Sequence, residues 1–77
     1  MYVGIKSEKN TITNRQLQVL KLVAQGYTND EIAEDLVITK HTVKAHISSI
    51  YEALNVSSRV QITIKALKLG LIQLDEL

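Results

Sequence analysis

The chain has 77 residues, with nine basic and eight acidic side chains, a formal net charge of +1, and no cysteine, proline or tryptophan. That length is one domain, whose core supplies only about 3–5 kcal/mol. The absence of cysteine excludes disulfides and thiolate metal centres, and the near-neutral balance excludes a global electrostatic pull on nucleic acid, so any basic footprint has to be local.

Residues 1–11 are polar and aperiodic and include Gly4, and are expected to be a flexible arm or linker remnant. Thr13 with Gln16 three residues on has the form of a capping box and opens the first predicted helix. Val19, Leu20, Val23 and Ala24 follow at helical spacing, Leu17 and Leu22 widen the stripe, and Gly26 supplies the left-handed residue that ends it. Thr28 with Glu31 is a second capping box; the short helix it opens turns Ile32, Ala33 and Leu36 inward. Val37 and Ile38 form the turn, with Ile38 plugging the core, and Thr39 caps a longer helix. Val43, Ile47, Ile50 and Leu54 are its buried face, and Asn55 is its stop. Ser57 or Ser58 caps a fourth helix that runs to Gly70, after which Leu71 and Ile72 return to the core. The expected fold class is all-α, a four-helix domain with a central helix-turn-helix over residues 12–73 and a frayed tail over 74–77.

The third helix carries the functional signal. His41, Lys44, Ala45, Ser48 and Glu52 lie on one face, opposite the apolar row. A helix of this kind fits the major groove of B-DNA, where Lys44 can donate to guanine O6 or N7, Ala45 can touch a thymine methyl, and Ser48 can bond a base edge. His41 joins this base-reading set at the end nearest the phosphates. Only the N-terminal half of the face is basic, and Glu52 repels phosphate, so that half enters the groove and the rest leaves it. Thr28 and Asn29 open the second helix, where unpaired N–H groups and the positive dipole end suit a phosphate. The Thr42 hydroxyl either donates to a phosphate or bonds back to its own helix.

Other chemistry is weakly supported. His41 and His46 are five apart, not the four of helical zinc ligands, and His46 sits beside the apolar stripe in a packing position. No glycine-rich phosphate loop, cysteine nucleophile or carboxylate pair in an apolar setting is present, so no enzyme and no cofactor are expected. The acidic residues of the second helix read as a solvated face. Three tyrosines, Tyr2, Tyr27 and Tyr51, do not make a stacking platform for single strands. No apolar run is long enough to span a membrane, and no leader is evident, so a cytoplasmic location without a membrane partner is expected.

On the fourth helix Ile62, Ala66 and Leu69 form one apolar stripe, and Val60, Ile64, Leu67 and Leu71 form a second, rotated from it. A small domain rarely buries both. The second stripe is then either a contact surface, most simply of a two-fold homodimer, or the margin of one broad buried face.

From Ile12 to Ile72 the chain resembles the LuxR-type (GerE-like) helix-turn-helix domain of bacterial transcription regulators. The resemblance rests on Thr13, Arg15, Val19-Leu20, Ala24 and Gly26, on Asn29, Glu31-Ile32-Ala33, Leu36 and Ile38, and above all on Thr42-Val43-Lys44 with His46. It continues through Ile50, Leu54, Val56, Ser58-Arg59, Ala66 and Gly70-Leu71-Ile72. The resemblance implies a four-helix domain whose third helix reads half-sites in double-stranded DNA and whose fourth makes the dimer. It places Lys44, Ala45 and Ser48 at base edges, and Lys40, Thr42 and the starts of the second and fourth helices, Thr28, Asn29 and Ser58, at phosphates. Arg59 is either a further phosphate ligand or the partner of Glu31 in a buried ion pair. The chain departs from the family pattern at Gln16, Ser48, Ala53, Ile62 and Thr63; Ala53 stands where lysine is frequent. Such domains usually end a longer chain behind a receiver or ligand-binding module, which implies either the excised output domain of a two-component response regulator or a stand-alone member. A different class remains as the alternative: an interaction module that docks on RNA polymerase or another regulator.

Overall fold

The computed structural model of the chain describes residues 12–77, and the arm expected over residues 1–11 lies outside the described residues. Four helices follow in order, α1 (Asn14–Ala24), α2 (Asn29–Leu36), α3 (Lys40–Leu54) and α4 (Arg59–Lys68), closed by a 3-10 turn at Leu74–Glu76. Among the described residues there is no strand, as the all-α expectation requires.

Every helix starts on a hydroxyl. Thr13, Thr28, Thr39 and Ser58 hold extended backbone and accept from the N–H groups of Gln16, Glu31, Thr42 and Gln61. Each such cap is worth about 1 kcal/mol. Both capping boxes close reciprocally: Thr13 N–H donates to Gln16 Oε1 at 3.1 Å, and Thr28 N–H to Glu31 Oε1 at 2.9 Å. Ser58, not Ser57, caps α4; Ser57 N–H instead donates to Gln61 Oε1 at 2.8 Å.

Every helix also stops in the same way. Gly26, Val37, Asn55 and Gly70 take left-handed backbone with φ of 93°, 55°, 56° and 74°. The next N–H in each case, that of Tyr27, Ile38, Val56 and Leu71, reaches back to the carbonyls of Leu22, Ala33, Tyr51 and Ala66 at 2.9–3.0 Å. The side chains of those four residues then fold onto the core. The paired backbone bond and apolar contact are those of a Schellman stop. α4 is therefore two residues shorter than the reading to Gly70, because Gly70 is the left-handed residue beyond the helix rather than its last turn.

One core holds the four helices together. Val19, Leu20 and Val23 from α1, Ile32 from α2, Val43, Ile47, Ile50 and Leu54 from α3, and Ile62 and Ala66 from α4 are buried with Ile72. α1 and α3 each pack against the other three helices and form the centre of the domain. Ala53 is buried too, where the family pattern suggested a surface lysine site. Leu69 departs from expectation in the other direction. It follows the last turn of α4 and is 56% exposed, apart from Ile62 and Ala66, which are fully buried.

Within the last four residues, Glu76 is tied back to the domain. Gln25 Nε2 donates to the Glu76 carbonyl at 2.9 Å, and Lys21 Nζ lies 3.3 Å from Glu76 Oε2. The N–H of Gln73 donates to Glu76 Oε1 at 2.6 Å. That bond, with Lys21 beside it, holds the Glu76 carboxyl below the usual carboxylate range.

Val37 is the one strained stop. A β-branched side chain in the left-handed region crowds its own backbone, at a cost of about 1–2 kcal/mol, and Val37 is 87% exposed, so burial returns little of it. Val37→Asn, a residue that tolerates this conformation, is expected to raise the unfolding free energy by about 1 kcal/mol in a urea titration. A lower value for the variant would mean that the valine side chain contributes packing.

Candidate nucleic-acid interface

Only residues 37–39 separate α2 from α3. Ile38 is drawn into the core, Thr39 caps the next helix, and α3 is thereby fixed across α2. Its inner row, Val43, Ile47, Ile50 and Leu54, is buried to 6% exposure or less. Helical spacing then leaves no choice for the opposite row: His41, Lys44, Ala45 and Ser48 are all exposed, with Glu52 further along. His46, beside the buried row, is half-buried, in keeping with a packing role. Among the described residues Lys44 is in no ion pair, so its charge is uncompensated.

Of the residues singled out for phosphate contact, Thr28, Asn29, Lys40 and Arg59 line one cleft, about 430 Å³ in volume, with Asp30 beside them, whereas Thr42 and Ser58 are not part of its lining. Asn29, Lys40 and Arg59 are each the first residue of their helix, so the N-terminal ends of α2, α3 and α4 converge here. Each end presents positive dipole. Ser58, the cap of α4, precedes Arg59 in the chain.

Arg59 closes the arrangement. Its Nη1 donates to Asn29 Oδ1 at 3.0 Å and its Nη2 to the Tyr27 carbonyl at 2.7 Å, in a part-buried setting. The alternative ion pair with Glu31 is not formed: Arg59 turns to Asn29 and Tyr27, and Glu31 Oε1 accepts from the Thr28 N–H of the α2 capping box. Asn29 presents its oxygen to the guanidinium, which leaves its NH₂ free to donate outward. Arg59 thus braces α4 against the start of α2, and its charge meets only neutral acceptors. Lys40 Nζ lies 3.1 Å from Asp30 Oδ1, a surface pair with both side chains more than half exposed. Thr42 is tied to its cap by two bonds: its N–H donates to Thr39 Oγ1 at 3.1 Å, and Thr39 Oγ1 donates to its hydroxyl oxygen at 3.0 Å. The Thr42 hydroxyl is an acceptor in that bond and keeps its own proton for another acceptor.

On α4, Val60 and Ile64 are 70% and 50% exposed and Leu67 is half-buried against the core; Leu71, expected on the same stripe, lies beyond the end of α4 and is also half-buried against the core. The outward apolar face is therefore narrower than the four-residue stripe. Two contacts of the cleft were not anticipated from the sequence. The Tyr27 carbonyl as acceptor for Arg59 leaves no mark there. Asp30 as partner of Lys40 leaves a faint one, opposite charges in the first turns of consecutive helices.

A short helix, a tight turn and a longer helix with an outward polar row, braced from behind by two further helices, define a helix-turn-helix domain. Comparison with known proteins makes this specific. The family described as bacterial regulatory proteins, luxR family, matches residues 10–66. The transcriptional regulatory protein LiaR of Bacillus subtilis is 48% identical over 56 residues, 73% of this chain and 26% of that protein. The response regulator protein VraR of Staphylococcus aureus is 45% identical over 62 residues, 80% of this chain and 30% of that protein. The HTH-type transcriptional regulator AlkS of Alcanivorax borkumensis is 43% identical over 68 residues, 88% of this chain and 8% of that protein. The chain belongs to the luxR family of bacterial regulatory proteins. It spans less than a third of the length of each of these three relatives.

The bracing role of Arg59 has a direct check. Arg59→Ala is expected to lower the unfolding free energy by about 1.5–3 kcal/mol, the range for hydrogen bonds to a charged group. Arg59→Lys should recover only part of this, since an ammonium is a point donor and the two acceptors match a planar fork. Urea titrations that place Arg59→Ala level with the parent would remove the brace.

Proposed function

We propose that this domain binds duplex DNA sequence-specifically to regulate transcription, as the output domain of a two-component response regulator. The observation that carries the reading is the division of α3 into a buried row and an exposed row of Lys44, Ala45 and Ser48, flanked by His41. Helices of this width enter the major groove, and these four side chains face the base edges there. Lys44 donates to guanine, Ala45 lies against a thymine methyl, and Ser48 bonds a third edge. The convergent starts of α2, α3 and α4 take the flanking phosphates, through Thr28, Asn29, Lys40, Thr42, Ser58 and Arg59. Arg59 contributes charge and holds Asn29, rather than reaching out alone.

The matched relatives support the regulatory half of the proposal, since VraR is a response regulator protein and LiaR a transcriptional regulatory protein. The DNA-binding unit covers residues 12–73, with the closing turn attached to it. No described helix is long and apolar enough to cross a membrane, and the site of action is the nucleoid in the bacterial cytoplasm.

A net charge of +1 makes a single copy a weak binder. Two copies on two half-sites, about one helical turn apart, gain from the linkage of their sites. The outward apolar face of α4, centred on Val60 and Ile64 and edged by Leu67, with Leu71 beyond the helix end, is the surface that joins them. A receiver module, in the full-length regulator, controls access to it.

Lys44→Ala is expected to weaken binding to a selected duplex and to relax preference at one base pair, by about 1–3 kcal/mol for a bidentate base contact. Unchanged affinity and unchanged preference in a mobility-shift series would reject the assigned reading face. Ile64→Glu is expected to abolish cooperative occupancy of two half-sites while single half-site affinity and the helical circular-dichroism signal persist. Retained cooperativity would place the dimer surface elsewhere.

A further inference from the structure

The cleft lined by Thr28, Asn29, Lys40 and Arg59 also contains an acid. Asp30 stands in the first turn of α2, two residues beyond the Thr28 cap, and holds Lys40 at 3.1 Å. Lys40 opens α3, and Asn29 and Arg59 line the same cleft. A carboxylate in that place occupies the lysine that a phosphate oxygen would otherwise take. The pair is exposed, at 57% for Lys40 and 76% for Asp30, so it is weak and exchanges readily.

We propose that Asp30 is an affinity-setting residue: it acts as a built-in phosphate competitor that holds Lys40 in the free protein and so restrains sequence-independent binding to duplex DNA. This rests on the duplex-binding reading given above and adds to it the residue that tempers the phosphate contact. When a duplex arrives, Lys40 leaves Asp30 for a phosphate and releases one condensed counterion. Asp30 is then left unpaired beside the backbone and takes up a cation. The two ionic terms nearly cancel, and Lys40 adds little to affinity or to salt dependence. Without the carboxylate, Lys40 stands free and its counterion release counts in full. Because phosphates carry no sequence information, the restraint applies equally to cognate and random duplex. Useful binding then depends on the base contacts of α3 and on pairing of two copies.

The test is a double-mutant cycle with Asp30→Asn and Lys40→Met, read as affinity for a random-sequence duplex across a salt series. Asp30→Asn is expected to tighten binding about three- to ten-fold at low salt. It should also steepen the slope of log affinity against log salt by roughly 0.9, the value for one further phosphate contact. In the Lys40→Met background the same substitution should change affinity less than about two-fold and leave the slope alone, because the lysine it frees is gone. Asp30→Ala serves as a second variant, and thermal melts of each protein show that the fold is kept. Equal tightening with and without Lys40 would overturn the proposal, since Asp30 would then act by general repulsion. An unchanged affinity and slope for Asp30→Asn would overturn it as well. If the parent protein shows no salt-sensitive binding to any duplex, the duplex reading itself falls, and that result is distinct from either of the others.

Discussion

Burial of one row of α3 against the other three helices is the constraint from which the rest follows. Val43, Ile47, Ile50 and Leu54 meet side chains from α1, α2 and α4, and the burial of each aliphatic side chain is worth about 1.5–3 kcal/mol. A domain of this size has only a few kcal/mol in hand, so α3 cannot roll about its axis without unfolding the protein. The outward row is therefore set by the inward one. His41, Lys44, Ala45 and Ser48 face solvent because the alternative would put Val43 and Ile47 in water.

The same packing brings three helix starts to one place. α2, α3 and α4 have unrelated sequences at their first residues, Asn29, Lys40 and Arg59, yet all three line a single cleft. Arg59 holds the cluster from within by bonding Asn29 and the Tyr27 carbonyl. The small net charge makes sense in this light. Positive dipole ends and the cations Lys40 and Arg59 meet in the cleft, where Asp30 offsets part of their charge, while Glu34 and Asp35 of α2 and Glu52 of α3 stand elsewhere on the exposed surface.

Much of the fold was legible because its punctuation is chemical. Thr13, Thr28 and Thr39 each announce a helix with a hydroxyl, and Gly26, Asn55 and Gly70 each announce a stop with a residue at ease in left-handed backbone. Val37 announces nothing. Valine disfavours that conformation, and it is imposed by the demands of its neighbours, Ile38 on the core side and Thr39 at the next cap. The exposed row of α3 was readable from spacing alone. The internal wiring of the cleft was not. Arg59 finds its acceptors thirty and more residues earlier in the chain, one of them a backbone carbonyl, and Glu31, which charge alone would nominate, is already used by its own cap. The closing turn was equally hidden, since its anchor joins Gln25 to Glu76 across most of the domain. Local rules cover capping, stopping and facing; they do not reach contacts set by how helices cross.

The most direct test of the central claim is an amide-shift map of the labelled protein titrated with a duplex taken from a random-library selection. The claim predicts perturbations concentrated on α3 between Lys40 and Ser48 and at the starts of α2 and α4, fading as salt rises. Perturbations gathered instead on Glu34 and Asp35, or spread through the inner row of α3 with loss of its packing, would contradict it.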